Sequence, residues 1–218
     1  MAGTGKAHLR PKEDVLICAE DLVVEFPASR GRVVNAVSGI SLDVKEGETL
    51  GLVGESGCGK STTAKALIQL PPPSSGTVSY RGAELTELDE ESLRRTRTNL
   101  QMIFQDPISS LNPRRKIGAV IAEPLRVWGP KDAETQAERV DAMLEAVGID
   151  PETARDKRAH EFSGGQCQRI SIARALVLNP QVIICDEPVS ALDVSVQAQI
   201  LNMLEDLKAE YGLTLVFI

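Results

Sequence analysis

A glycine-rich segment, Gly54-Glu55-Ser56-Gly57-Cys58-Gly59-Lys60-Ser61, follows a short apolar run, Thr49 to Val53, and opens a stretch of helical composition, Lys60 to Leu70. No other feature constrains the fold as strongly. A strand that runs into a glycine loop and then a helix aims successive backbone N–H groups and the positive end of the helix at one point. Such a point holds a multiply charged anion. Lys60 and Ser61 complete the pattern G-x-x-x-x-G-K-[ST]. In that pattern the lysine reaches the outer phosphates of a nucleotide and the hydroxyl ligates Mg2+. Thr62, the next hydroxyl, is expected at the α-phosphate. Without the Lys-Ser pair the segment would read as a plain turn between a strand and a helix.

Two further elements follow. Val182-Ile183-Ile184-Cys185 is an unbroken apolar run, the pattern of a strand buried on both faces, and it delivers Asp186 and Glu187. An Asp in that position holds Mg2+ through a water, and a Glu one residue on orients or deprotonates an attacking water. Alone, Asp-Glu-Pro would be an acidic turn where a strand leaves the core. Between these two lies Phe162-Ser163-Gly164-Gly165-Gln166, ahead of an apparent helix from Gln168 to Leu178. It offers a second phosphate cradle at a helix start. Taken singly, it is equally a Ser163 N-cap followed by flexible glycines.

In this order the three elements resemble the ATP-binding-cassette (ABC) family, the nucleotide-binding subunits of membrane transporters, over about residues 15–218. The resemblance implies that Ser163, Gly164, Gly165 and Gln166 complete the ATP site of an opposite subunit, so that two subunits bury two nucleotides. It implies that Gln105 contacts Mg2+ and senses the transmembrane partner, although a lone Gln there is an ordinary loop residue. Ser190-Ala191-Leu192-Asp193 resembles the family's D-loop, which crosses the dimer interface; Asp193 also reads as the cap of the next helix. Phe26 is the candidate for stacking on adenine, and equally a packed aromatic at a strand end. The implied catalytic set is Glu187, Lys60 and Gln105, with Ser61, Gln105 and Asp186 on Mg2+. His160 reads as a loop residue, and Arg94, Arg95 and Arg97 as a solvated helix face.

Gln105 to Arg114 and His160 to Arg169 resemble the ATPases of oligopeptide and dipeptide importers, with nickel importers close by. Ala159 stands where that branch usually has Pro. After a strand like Leu213 to Ile218 the family places a switch His, which this sequence does not reach. That difference leads to the expectation that the end of the domain is missing and that apolar surface there lies uncovered. The implied activity is ATP hydrolysis driving import, with ATP and Mg2+ as cofactors. The implied partners are permease subunits, a second ATPase subunit of the same or a different kind, and indirectly a substrate-binding protein. Two rival readings stand beside it: a soluble ABC ATPase without a membrane partner, and a non-catalytic remnant lacking the switch His.

The expected fold is α/β, a P-loop NTPase of the ABC type. An N-terminal antiparallel β subdomain is expected from Val15 to Val24 and Val33 to Val44, and a helical subdomain over about residues 106–165. Val140, Met143, Leu144 and Val147 fall at i, i+3, i+4 and i+7, one face of a helix that Gly148 closes. Residues 1–14 read as a mobile leader. With 42% apolar and 25% charged residues the composition is that of a globular domain. The net charge of -7 argues against a nucleic-acid partner. No apolar run approaches the roughly 18 residues that span a bilayer, and no signal peptide is evident, so the expected location is the cytoplasmic face of a membrane. The four cysteines, Cys18, Cys58, Cys167 and Cys185, lack zinc-motif spacing and read as free thiols.

Overall fold

The computed structural model describes residues 9–218. In chain order it begins with β1 (Ile17–Pro27), β2 (Val33–Val44), β3 (Thr49–Gly51) and α1 (Lys60–Leu67). Then come β4 (Ser75–Tyr80), β5 (Ala83–Glu84), α2 (Glu90–Thr96) and β6 (Leu100–Ile103). A helical run follows: α3 (Pro107–Ser110), α4 (Ile117–Ile121), α5 (Glu123–Trp128), α6 (Ala133–Ala146) and α7 (Pro151–Ala154). The chain continues with α8 (Gly164–Leu176), β7 (Val182–Cys185), α9 (Val194–Tyr211) and β8 (Thr214–Phe217). It divides into two compact units, one running up to Arg97 and including Thr214–Ile218, the other Thr98–Leu213.

The first unit contains an antiparallel sheet in the order β2-β1-β4-β5. Its longest ladder runs from Ile17↔Val44 to Pro27↔Val33. Ile17, Leu22, Val24, Val44 and Val78 fill its core. β3 pairs in parallel with β8, Thr49 opposite Leu215. Leu213, Leu215 and Val216 are buried, so the uncovered apolar surface expected beside this strand is not found at those residues. α1 ends three residues earlier than the prolines suggest. The N–H of Gln69 donates to Ala66 O at 2.9 Å and that of Leu70 to Lys65 O at 2.9 Å, a Schellman pair with Gln69 left-handed at φ 60°. Arg97, expected on a solvated face, instead donates to Ile68 O at 2.8 Å and Gln69 O at 2.7 Å. A cation at those carbonyls favours the negative end of α1.

Residues 1–8 of the expected leader lie outside the described residues. Arg10, within it, is tied down: its N–H and Nε donate to the Asp43 carboxylate, both at 2.6 Å, and Nη2 to Glu48 Oε2 at 2.7 Å. The hydrogen bond from Arg10 holds the Glu48 carboxyl below its usual range.

In the second unit β6 and β7 are parallel, from Leu100↔Val182 to Ile103↔Cys185. All four β7 side chains are buried, as their unbroken apolarity predicts. The helical stretch from Ile117 is broken at Ala122, just ahead of Pro124 in the first turn of α5, and again at Gly129-Pro130, giving α4, α5 and α6. Val140 and Leu144 are buried and Met143 half-buried, which bears out the predicted face of α6. Gly148 closes the helix, its N–H donating to Glu145 O at 2.8 Å. α8 packs against α3, α4, α6 and β6.

Each helix start needs acceptors for its free N–H groups, and aspartates supply several. Asp132 accepts from the N–H of Thr135 at 2.7 Å at the start of α6, and Asp106 from those of Ile108 and Ser109 at the start of α3. These bonds favour the charged form, so both carboxyls sit below their ordinary value. A depressed folded pKa contributes stability above the unfolded value and loses it as pH falls through the folded one. Asp132→Asn keeps a cap acceptor but not the charge. It should therefore flatten the fall in stability between about pH 5 and pH 2, read by denaturant melts at each pH. Leu144→Ala, at a fully buried site, should cost about 2–5 kcal/mol in the same melts.

Candidate functional site

The glycine loop leaves β3 and enters α1 directly, as its sequence requires. Leu52 N–H still bonds to Phe217 O at 2.7 Å, so the sheet grips the chain up to the loop. Gly57 and Gly59 then take φ of 79° and 97°. At Gly59 a side chain is excluded twice over, because a Cβ there would lie 2.1 Å from Ala36 O on β2. The Lys60 ammonium folds back and donates to Gly54 O at 2.9 Å and Glu55 O at 2.8 Å, spanning the loop it terminates. Ser61 and Thr62 stand in the first turn of α1, half-buried. Thr63 Oγ1 donates to Gly59 O at 3.0 Å and fixes the junction. Glu55, Ser56 and Cys58 are exposed. The Cys58 sulfur lies close under Gly54, where a Cβ would meet it at 2.7 Å.

A cavity of about 470 Å3 opens beside the loop, walled by Ala36, Val37, Ile40 and Val53 with Cys58 and Lys60. Sequence reasoning missed the β2 side of this wall. Nothing in Asn35 to Ile40 stands out without knowing that Ala36 touches Gly59. Phe26 is not part of the wall. It pairs with Val34, nearer the hairpin turn, and is 40% exposed.

In the second unit β7 carries Asp186 into a site only 3% exposed, and its N–H donates to Ile103 O at 2.9 Å. Burial pushes the adjoining Cys185 thiol up to about 12. None of the four cysteines is in a disulfide among the described residues. Glu187 follows in a left-handed conformation, φ 46°, which costs a non-glycine residue on the order of 1 kcal/mol. That turn brings its carboxylate to Gln105, whose Nε2 donates to Glu187 Oε2 at 2.7 Å. The sequence reading put both in one catalytic set with separate roles and gave no sign of a direct hydrogen bond between them.

α8 starts at Gly164, so Gly164, Gly165 and Gln166 form its first turn instead of preceding it. The reason is a reciprocal cap: Ser163 Oγ accepts from Gln166 N–H at 3.3 Å, and Gln166 Oε1 accepts from Ser163 N–H at 3.0 Å. Gly165 is there for proximity, since a Cβ would lie 2.7 Å from Val196 Cγ1 on α9. A depression of about 370 Å3 is lined by these residues together with Arg169, Asp193 and Gln199. The structure thus joins the Ser163–Gln166 segment with Asp193. The expected side-chain cap from Asp193 is absent; α9 starts on its backbone carbonyl, which accepts from Val196 and Gln197 N–H, each at 2.9 Å. Arg169, also missed from sequence, ties the segment down by donating to Val147 O at 2.8 Å.

Chemically, a backbone curled by left-handed glycines, a lysine and a helix start suit a polyphosphate, and a carboxylate held by an amide suits an acceptor for a water proton. Gly59→Ala should abolish nucleotide binding by displacing the loop from Ala36, while the circular-dichroism spectrum stays that of the folded chain. Undiminished binding of a fluorescent ATP analogue would refute the steric argument.

Comparison with known proteins agrees with this geometry. The chain is 52% identical over 213 residues to the oligopeptide transport ATP-binding protein OppF of Escherichia coli, covering 94% of this chain and 64% of that one. It is 51% identical to the oligopeptide transport ATP-binding protein AppF of Bacillus subtilis over the same shares. The glutathione import ATP-binding protein GsiA of Pectobacterium atrosepticum is 47% identical over 99% of this chain and 35% of its own. The chain thus spans a little under two thirds of the oligopeptide relatives. Among solved structures, the dimeric ATP-binding cassette MJ0796, in a post-hydrolysis state bound to ADP and Pi, superposes with a TM-score of 0.82. The two are 28% identical, and the likeness covers 92% of this chain and 86% of that one. CbiO1 of Clostridium perfringens gives 0.79 at 29% identity, over 94% of this chain and 78% of its own. The family profile described as ABC transporter matches residues 37–190, and this chain belongs to that family.

Proposed function

We propose that the chain is the ATP-binding and hydrolysing part of a motor that powers import of peptides, or of related small solutes, through a membrane transporter. One observation carries this reading: about half of the residues match oligopeptide transport ATP-binding proteins over 94% of the chain. The geometry supports it. The loop from Gly54 to Ser61 binds the phosphates, with Lys60 exchanging the carbonyls of Gly54 and Glu55 for phosphate oxygens. Thr62 meets the α-phosphate. Glu187 orients and deprotonates the water, and Gln105 holds that carboxylate until substrate is in place. Ser163 to Gln166 and Asp193 serve the nucleotide of a second subunit.

The residues fit Mg2+. Among the described residues no three His, Cys, Asp or Glu side chains gather as a resident metal centre would need. By donor chemistry alone, a carboxylate, a hydroxyl and an amide oxygen suit a Mg2+ that arrives on phosphates. Asp186, Ser61 and Gln105 are its proposed ligands, and the ion supplies charge neutralisation at the transferred phosphoryl group. No helix of the described residues is long and apolar enough to cross a membrane. On this reading, permease subunits provide the path, a substrate-binding protein delivers the cargo, and the motor sits on the cytoplasmic face.

In the full-length protein, Glu187→Gln should leave ATP binding intact and lower turnover roughly a hundredfold or more. Uptake of labelled short peptides by cells lacking the parent gene should be restored by the unsubstituted protein and not by this variant. Near-normal turnover would remove Glu187 from the role. Peptide uptake indifferent to the gene would redirect the cargo assignment.

A further inference from the structure

Like charges placed directly opposite one another across a strand pair are destabilising, and the second unit contains such a pair. Arg114, Arg115 and Lys116 lead into α4, and Arg155, Lys157 and Arg158 follow α7. Ile117 N–H donates to Lys157 O at 2.8 Å and Gly118 N–H to Arg155 O at 3.1 Å, so the two segments run side by side with Lys116 opposite Arg158. All six cations are exposed. Glu123 pairs with Arg115 and Asp156 with Lys116, each at 2.6 Å, and Asp141 pairs with Arg155. Glu161 accepts from Arg158 N–H at 2.6 Å. The four carboxylates bound to these segments do not balance the six cations, in a chain whose net charge is -7. Arg114, Lys157 and Arg158 form no ion pair among the described residues, and Lys157 Nζ lies 5.8 Å from the centre of the Phe162 ring.

The Arg115–Glu123 pair joins this surface to the first residue of α5. That helix is roughly 9 Å long, and its last two residues, Val127 and Trp128, are 54% and 36% exposed. Arg126, next to them, is exposed too. Lysines and arginines keep their charged ends in water while their stems cover apolar surface. Tryptophan favours the boundary between headgroups and acyl chains. Cations set beside an exposed tryptophan and valine therefore have the composition of a surface that lies on an anionic bilayer. An acidic protein segment or a nucleic acid answers only the charge.

We propose that the surface formed by residues 114–116, 155–158 and the end of α5 contacts anionic phospholipid headgroups directly. The cations meet the lipid phosphates, and Val127 and Trp128 reach the edge of the acyl region. Surface ion pairs are weak, so Arg115, Lys116 and Arg155 exchange their carboxylates for phosphates at little cost. The proposal rests on the motor reading for the chain's place at a membrane, and adds a contact that does not pass through the permease.

The test uses the full-length protein without permease and two vesicle preparations, phosphatidylcholine alone and phosphatidylcholine with phosphatidylglycerol in equal parts. The protein should sediment with the mixed vesicles, be released by salt, and stay in solution with phosphatidylcholine. Each lysine or arginine near an anionic surface strengthens binding about fivefold. Arg114→Gln, Lys157→Gln and Arg158→Gln together should then weaken partitioning roughly a hundredfold, with melting temperature and ATP affinity unchanged. Arg94→Gln with Arg95→Gln, which removes charge from α2, should change it little. Tryptophan emission should shift to the blue on the mixed vesicles, and the difference from Trp128→Phe assigns the shift to that residue, a readout that stands even if the triple variant does not fold. Equal binding to both vesicles, no binding, indifference to the triple substitution, or no shift from Trp128 would overturn the proposal. Capture by polyglutamate or by single-stranded DNA in place of vesicles, lost in the triple variant, would overturn it as well and assign the surface to that partner. Failure of the unsubstituted protein to hydrolyse ATP would sink the motor reading and leave the vesicle result to be judged by itself.

Discussion

At Gly59 the chain has no room for a side chain. Its φ of 97° turns the loop into α1, and its Cα presses against the Ala36 carbonyl of β2. The antiparallel sheet therefore sets where the glycine loop sits, and the loop sets where α1 starts. Lys60, Ser61 and Thr62 take their places from that start. A phosphate cradle works only if its N–H groups are fixed before the anion arrives, and this contact, with Thr63 bonded back to Gly59 O, does the fixing.

The second unit obeys a different constraint. There the functional side chains are held by one another. Glu187 accepts from Gln105, Ser163 and Gln166 cap each other, and Arg169 and Arg174 donate to carbonyls at the ends of α6 and α3. Hydrogen bonds of this kind are individually modest and break without unfolding the core. The loop of the first unit is built on steric exclusion, and the elements of the second on exchangeable bonds. On the motor reading proposed above, such a division suits a fixed cradle for phosphates beside elements whose bonds exchange more easily.

Legibility from sequence followed the range of each interaction. Gly54 to Ser61 was read correctly as strand, loop and helix because the chemistry lies in consecutive residues. β7 was legible because four apolar residues in a row have few other places to go, and α6 because its face repeats with the helical period. The start of α8 was placed four residues late, since glycine disfavours helix and the sequence reading had a Ser163 N-cap without the Gln166 side chain that reciprocates it. Arg97 was read on a solvated helix face and Arg10 within a mobile leader; their acceptors are 28 or more residues away. Phe26 was named for its ring; it pairs with Val34 and is not among the residues that line the cavity beside the glycine loop.

By itself, then, the sequence determined the family, the α/β class, the glycine loop with its lysine and hydroxyls, and the acidic end of a buried strand. Each of these is encoded within a dozen residues, where spacing fixes geometry. Tertiary structure alone decided that Gln105 meets Glu187 across 82 residues of chain, that Gly165 lies against Val196, that Ala36 walls the loop, and that the buried Gln168 side chain finds no bond among the described residues. Those facts depend on which faces of distant elements come together. Packing selects those faces from the sum of many weak contacts, and no short stretch of sequence carries that sum.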